Sequence, residues 1–226
     1  MSEWWTYSLS DMLLFSPRVY YRLFALHNHA LWPAQLLTIA VGLGMIYTLA
    51  RPSAVRTRLT LVALGVLWIW VGWAFFWERY ATINWAAPYI APLYALQGVL
   101  LVAAGLSGNW LKISAPAWRV RSLGALLFAT VLIGYPLITP AVGRPWAAAE
   151  VFGVAPDPTA LATLAVLAVA RDGLRWVSMV VPLLWIVVSA ATLWTMQSTE
   201  FWIAPLAALF ALSIACLPAR PRPSAA

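Results

Sequence analysis

The sequence predicts an all-α fold: a polytopic membrane helix bundle with seven transmembrane helices, preceded by an interfacial amphipathic helix. Of its 226 residues, 63% are hydrophobic and only 9% are charged, too few polar groups to cover a water-facing surface. Apolar runs near the ~20 residues needed to cross a bilayer recur along the chain. Because backbone polar groups in hydrocarbon must be paired within the protein, these runs are predicted to be helices.

Residues 1–30 are predicted to form an N-terminal segment that contains the amphipathic helix. Ser16 followed by Pro17 is typical of a helix start, and Arg18 and Arg22 lie four residues apart on one face. We expect this helix to lie on the outer membrane surface and the chain to turn inward near Pro33. The first residues lack the basic segment and apolar core of a cleavable signal, so the first span is expected to direct insertion.

The predicted transmembrane domain covers residues 31–217, and residues 218–226 are expected to form a disordered cytoplasmic tail. The predicted spans are 31–49, 59–77, 87–106, 122–142, 151–171, 174–196 and 201–217.

The fifth span is unusual because it contains a break near residues 156–158. Its apolar part, 158–170, would rise only roughly 20 Å against a hydrocarbon core of ~30 Å. With Asp157 as the N-cap and Pro158 at the first helical position, the span is a short, capped crossing helix. The alternative is a helix broken inside the membrane.

The distribution of cations predicts the orientation. If all seven segments cross, ten of the 14 lysine and arginine residues fall on one side. They are Arg51, Arg56, Arg58, Lys112, Arg119, Arg121, Arg171, Arg175, Arg220 and Arg222. The positive-inside rule then places the N-terminus outside and the C-terminus in the cytoplasm. A non-crossing 158–170 segment would turn ten against four into six against eight, which favours seven crossings.

Several segments together resemble an uncharacterised bacterial family of small polytopic membrane proteins, a domain of unknown function sometimes labelled permease. They are "LHNHALWPAQLL" (26–37), "LWIWVGWAFFWERYATIN" (67–84), "YALQGVLL" (94–101), "FGVAPDPTALATLAVL" (152–167) and "VPLLWIVVSAA" (181–191). The resemblance implies an integral protein of a bacterial cytoplasmic (inner) membrane and supplies no catalytic residues. Where relatives read P-C-P-T, this chain has Asp157 in place of the cysteine, which excludes a thiol role there.

Five polar residues form a candidate ligand site: Asp157, Thr159, Glu78, Gln35 and Gln97. A half-helix that begins at the proline break would direct its positive end at a ligand, or Asp157 would bind a proton or cation. The alternatives are an ordinary helix start for Asp157, a solvated interface pair with Arg79 for Glu78, and interhelical hydrogen bonds for the two amides.

Four tryptophans make the second span unusually aromatic: Trp68, Trp70, Trp73 and Trp77. Trp70, Trp73 and Trp77 follow helical i, i+3, i+7 spacing, so this face is a candidate for a flat hydrophobic ligand, such as a quinone or another pigment, or for a partner helix. The alternative is packing combined with the aromatic belt at the membrane interface.

No catalytic, nucleotide-binding or zinc-binding motif is present, so we expect no enzyme activity, no cofactor and no metal site. His27 and His29 point to different faces of a helix, and the single cysteine, Cys216, cannot form an internal disulfide. The net charge of +7 arises in membrane-flanking loops, so membrane lipids, not nucleic acid, are the expected partners. The sequence therefore predicts a small-solute permease or channel component; the alternative is an accessory subunit of a larger membrane complex.

Overall fold

A computed structural model describes residues 15–107 and 118–217, and every regular element in these ranges is helical. The helices are α1 (Pro17–Leu31), α2 (Ala34–Ala50), α3 (Ala54–Val71), α4 (Ala87–Ser107), α5 (Trp118–Ala129), α6 (Tyr135–Ala141), α7 (Pro156–Val169), α8 (Leu174–Thr195) and α9 (Ile203–Cys216). A π-helical turn, Gly72–Trp77, extends α3, and a second, Thr130–Gly134, joins α5 to α6. The all-α prediction is confirmed; residues 1–14 and the predicted tail, 218–226, lie outside the described residues.

Four of the described helical segments are long and apolar enough to cross a membrane. They are Ala54–Thr82, Ala87–Ser107, Trp118–Ala141 and Leu174–Thr195. The α1–α2 pair, bent by 90°, would be a fifth, whereas α7 and α9 are apolar but shorter. The described chain is thus an all-helical protein with four or five candidate spans, and the count of seven stays a prediction.

The N-terminal helix α1 is amphipathic, as predicted. The Ser16 hydroxyl accepts a hydrogen bond from the Val19 N–H, and the buried face of the helix consists of Tyr20, Leu23, Phe24 and His27. The predicted first span, 31–49, requires correction at its start: α1 continues to Leu31, and α2 begins at Ala34 in a different direction. Pro33 lies at this corner, where its missing N–H interrupts the helical hydrogen bonds.

The short helix α7 occupies the centre of the bundle. All 14 of its residues are buried, and α3, α5, α8 and α9 pack around it. Its sequence, PDPTALATLAVLAV, has no continuous polar face, and a helix that is apolar all round is stable only when surrounded. Small residues permit close neighbours: a Cβ on Gly124 of α5 would lie 2.3 Å from a methyl group of Val169.

The connections between helices gather at two ends of the bundle. At one end, Asn28 of α1 donates to the carbonyls of Ala147 and Ala149, and Tyr21 donates to Glu200 in the α8–α9 connection. At the other, the Arg58 guanidinium donates to carbonyls at the end of α4, and Arg171 donates to the Leu217 carbonyl after α9. The end that contains α1 also contains the start of α7, where the predicted site residue Asp157 lies.

Candidate functional site

Asp157 lies at the second position of α7 and is only 3% exposed. Its carboxylate accepts three hydrogen bonds from neutral side chains: from the Tyr135 hydroxyl at 2.8 Å, the Trp185 indole N–H at 2.7 Å and the Ser189 hydroxyl at 2.7 Å. Among the described residues, no arginine or histidine forms an ion pair with it. The acid is thus enclosed by helices α6, α7 and α8 and stabilised by neutral donors alone.

The predicted role of Asp157 as N-cap is wrong. Ala155 is the residue that precedes the helix, Pro156 and not Pro158 occupies the first helical position, and Asp157 directs its carboxylate to other helices. The helix therefore begins inside the protein, and not as an exposed start.

Thr159 closes the buried loop that precedes α7. Its hydroxyl accepts from the Gly153 N–H at 2.9 Å and donates to the Ala155 carbonyl at 2.7 Å. The N–H groups of Val154 and Ala155 both donate to the Val151 carbonyl, and Gly153 adopts a positive φ of 74°, which favours glycine. The loop can be buried because these backbone donors are satisfied.

The start of α7 has few N–H groups left for a ligand. A helix normally leaves its first four N–H groups without intrahelical partners, but Pro156 and Pro158 have none. The Asp157 carboxylate itself supplies negative charge at the positive end of the helix dipole. This geometry disfavours the binding of an anion to the helix end.

Glu150 interacts with Asp157 on one side and with a partly buried ion pair on the other. It is half-buried, and burial raises the pKa of its carboxyl well above the usual range; repulsion from Asp157 adds to this, and Arg144 opposes it. Arg144 forms an ion pair with Glu200, whose carboxylate also accepts a hydrogen bond from Tyr21. Burial would raise the pKa of Glu200, but its hydrogen bonds and Arg144 lower it overall.

A second group of polar residues borders a cavity of about 360 Å³ between α1 and the π-helical turn. Its lining consists of His27, Leu31, Trp70, Trp73, Ala74, Glu78 and Arg79. Burial lowers the pKa of His27 to about 4; the Val154 carbonyl opposes this effect and Arg79 adds to it. His27 is therefore neutral at pH 7, and neither ring nitrogen has a partner with hydrogen-bond geometry in the described chain.

The remaining predicted polar residues do not join Asp157. Glu78 borders the His27 cavity and is exposed. Gln35 donates to the Asn28 carbonyl at 2.8 Å and lines a separate cavity of about 450 Å³ between the α1–α2 corner and residues 146–151. Gln97 is fully buried and donates to the Ser178 carbonyl of α8 at 2.9 Å, as an interhelical hydrogen bond. The predicted polar set is therefore divided among four places.

The four tryptophans of the predicted aromatic face also separate. Trp68 is fully buried against α7, where its N–H donates to the Thr163 hydroxyl at 2.8 Å. Trp70 and Trp73 contact each other edge to face and line the His27 cavity, while Trp73 and Trp77 remain largely exposed. Only Trp70, Trp73 and Trp77 are thus available to a ligand or partner.

The sequence did not indicate four residues that define these sites: Tyr135, Trp185, Ser189 and Glu150. The first three reach Asp157 from residues 22 to 32 positions away in the chain, and no local pattern marks them. Arg79 was assigned to a solvated pair with Glu78, although the two form no ion pair in the described residues.

The model of a family of unknown function, DUF6064, matches residues 17–222. The chain belongs to this family, which confirms the predicted resemblance. No curated protein and no solved structure matches the chain.

Proposed function

We propose that this member of the DUF6064 family is a small-solute permease of the bacterial cytoplasmic membrane in which Asp157 takes up and releases a proton during transport. The observation that supports the proposal is the enclosed Asp157 carboxylate, which has three neutral donors and no cationic partner among the described residues. Ionisable groups inside membrane bundles are costly and commonly mark ion or proton pathways. The proposed role is transport without catalysis.

Protonation of Asp157 requires little rearrangement. The hydroxyls of Tyr135 and Ser189 both donate to the carboxylate, and a hydroxyl is also an acceptor, so either can rotate to accept the added proton. A metal cation would need several oxygen ligands, and no group of three or more acidic, histidine or cysteine side chains in the described residues is suited to hold one. The surroundings of the carboxylate thus favour a proton.

Glu150 supplies the route for that proton to the bundle end. It interacts electrostatically with Asp157 on one side and with Arg144 and Glu200 on the other. Its raised pKa means that it exchanges protons closer to neutral pH than an ordinary glutamate does. Protons would pass from the surface through Glu150 to Asp157.

The proposal includes seven crossings, with the N-terminus outside. Two features support it: the inter-helix connections gather at two opposite ends, and ten of the 14 cations belong to the connections assigned to the cytoplasmic end. Helix α7 can be short because its neighbours, and not lipid, surround it.

Proton-coupled uptake into liposomes tests the proposal. The purified full chain is incorporated into vesicles that contain a pH-sensitive dye and is exposed to pools of amino acids, sugars and organic acids. We expect one pool to change the internal pH and Asp157→Asn to abolish that change at unchanged protein content. The control is Asp172→Asn, the same exchange beyond the other end of α7, which should retain it.

Undiminished coupled uptake in Asp157→Asn would overturn the role of Asp157. If no pool changes the internal pH or accumulates, the permease proposal is wrong.

The second candidate function is an accessory subunit that binds partner helices, lipid, or a pigment or quinone through its tryptophans. The exposed side chains of Trp73 and Trp77, each more than half accessible, favour it. Purification in mild detergent from the native membrane tests this function. A partner or chromophore that co-purifies with the wild type and is lost from a Trp73→Leu/Trp77→Leu variant supports it, whereas recovery of the chain alone contradicts it.

A further inference from the structure

The cavity between α1 and the π-helical turn contains buried polar atoms without partners. His27 is only 2% exposed, and neither ring nitrogen forms a hydrogen bond of good geometry in the described chain, although the Val154 carbonyl is near enough to raise the pKa of the imidazole. Buried polar atoms are normally satisfied, and an exception needs an explanation such as a missing ligand. His27 borders the cavity, so a bound molecule can supply the partner.

The lining of the cavity contains groups suited to an anion. Arg79 lines it with His27 and is close enough to contribute to the lowered pKa of that histidine. Within the described residues the Arg79 guanidinium has no ion-pair partner. A phosphate or carboxylate would receive donors from the guanidinium and from a neutral imidazole N–H.

The same lining also contains groups suited to an ammonium ion. Glu78 contributes a carboxylate that is exposed and forms no ion pair in the described residues. Trp70 and Trp73 line the same cavity, and indole rings are the aromatic groups that attract cations most strongly. A carboxylate beside two indoles is a favourable environment for a substituted ammonium ion.

We propose that this cavity binds a zwitterionic head group in which an ammonium and a phosphate are joined by a short linker, as in phosphoethanolamine. A simple anion would face the Glu78 carboxylate, and a simple cation would face the Arg79 guanidinium. A zwitterion can satisfy both charges and offers an acceptor to His27. The site is separate from Asp157 and does not depend on proton-coupled transport.

The bound zwitterionic group belongs either to a membrane lipid or to a soluble molecule. The cavity borders the half-exposed ring of Trp73 and the apolar side chains of Leu31 and Ala74, beside which acyl chains can lie. Phosphatidylethanolamine would therefore bind with its head group in the cavity, whereas free phosphoethanolamine would fill only the polar part.

Native mass spectrometry of the purified full chain tests the site. The protein is equilibrated in detergent with equal amounts of phosphatidylethanolamine and phosphatidylglycerol, and the retained lipids are counted. The wild type should prefer phosphatidylethanolamine. Glu78→Gln should weaken its binding about tenfold and shift the preference to phosphatidylglycerol, whereas Arg79→Gln should weaken the binding of both lipids about tenfold.

Arg22→Gln is the matched control, because Arg22 is an exposed arginine of α1 that does not line the cavity. It should retain the wild-type lipid preference. Glu78 and Arg79 form no side-chain ion pair in the described residues, so both variants should melt at the wild-type temperature.

Competition with free phosphoethanolamine identifies the source. Displacement of the lipid by millimolar phosphoethanolamine assigns the site to a soluble zwitterion, and retention of the lipid assigns it to the membrane head group. An unchanged lipid preference in Glu78→Gln, or equal losses in Arg79→Gln and Arg22→Gln, would overturn the proposal.

Discussion

The Asp157 site and the His27 cavity lie at the same end of the bundle, but they accommodate charged side chains in opposite ways. Asp157 is enclosed, and its carboxylate accepts from three side chains. Glu78 and Arg79 border an open cavity without ion pairs in the described residues, and His27 beside them lacks hydrogen-bond partners. Because the Asp157 carboxylate is enclosed by protein, a proton is the ligand that fits it, whereas the open site can hold a larger molecule.

The residues between the two sites explain why they remain separate. The loop 151–155 lies between α7 and α1, with its backbone N–H groups at residues 153–155 donating to Thr159 and Val151. The Val154 carbonyl of this loop interacts with His27, which borders the cavity. One buried loop thus borders both sites, although each uses different side chains.

The largest expected effect is that of Asp157→Ala on stability. The substitution leaves three buried donors, those of Tyr135, Trp185 and Ser189, without an acceptor, and each unsatisfied donor costs about 1 kcal/mol or more. We expect the free energy of unfolding in detergent micelles to fall by roughly 3 kcal/mol.

Arg79→Gln is the comparison for Asp157→Ala, because it removes a charge from the open site. Its stability should stay within about 0.5 kcal/mol of the wild type, as is usual for surface substitutions. Equal losses in the two variants would remove the distinction between the enclosed and the open site.

Most helices of the fold could be predicted from hydropathy alone, since a 20-residue apolar run has few alternatives in a membrane protein. The predicted 87–106 and 174–196 agree with α4 and α8 to within one residue at each end. The central position of α7 was also present in its sequence, because no polar stripe runs along Pro156–Val169. The prolines at 156 and 158 instead led to the prediction that this helix begins at the membrane interface.

The sites were less predictable because their residues meet only through tertiary packing. An Asp-Pro pair is typical of a helix start wherever the helix lies, and the donors to Asp157 come from α6 and α8. The spacing of Trp68, Trp70 and Trp73 gave no indication of the π-helical turn, Gly72–Trp77, which directly precedes Glu78 and Arg79. That extra residue per turn shifts the side chains away from the face that a regular helix predicts.

The next largest effect is the pH dependence contributed by His27. Its pKa is about 4 in the folded protein and near 6.5 when unfolded, so the unfolded chain binds a proton that the folded chain does not. This contribution to stability is present above pH 6.5 and is lost as the pH falls towards 4. Between pH 7 and 4.5 we expect the wild type to lose roughly 2 kcal/mol more than His27→Gln, measured by unfolding in micelles.

The control is His29→Gln, which changes the same residue type on the exposed side of α1. It should keep the wild-type pH dependence. A His27→Gln variant with the same acid sensitivity as the wild type would show that burial of this histidine does not affect stability.

The smallest effect concerns the loop that closes the Asp157 site. Thr159→Val removes the hydroxyl that accepts from the buried Gly153 N–H and donates to the Ala155 carbonyl, and we expect a loss of about 1 kcal/mol in the free energy of unfolding. Thr192→Val is the matched control, because Thr192 is only half-buried and its hydroxyl donates only to the Val188 carbonyl of its own helix. The free energy of unfolding of Thr192→Val should equal that of the wild type, because this hydroxyl holds no loop or neighbouring helix in place. A loss in Thr192→Val as large as that in Thr159→Val would mean that the loop hydrogen bonds do not account for the stability of the enclosed site.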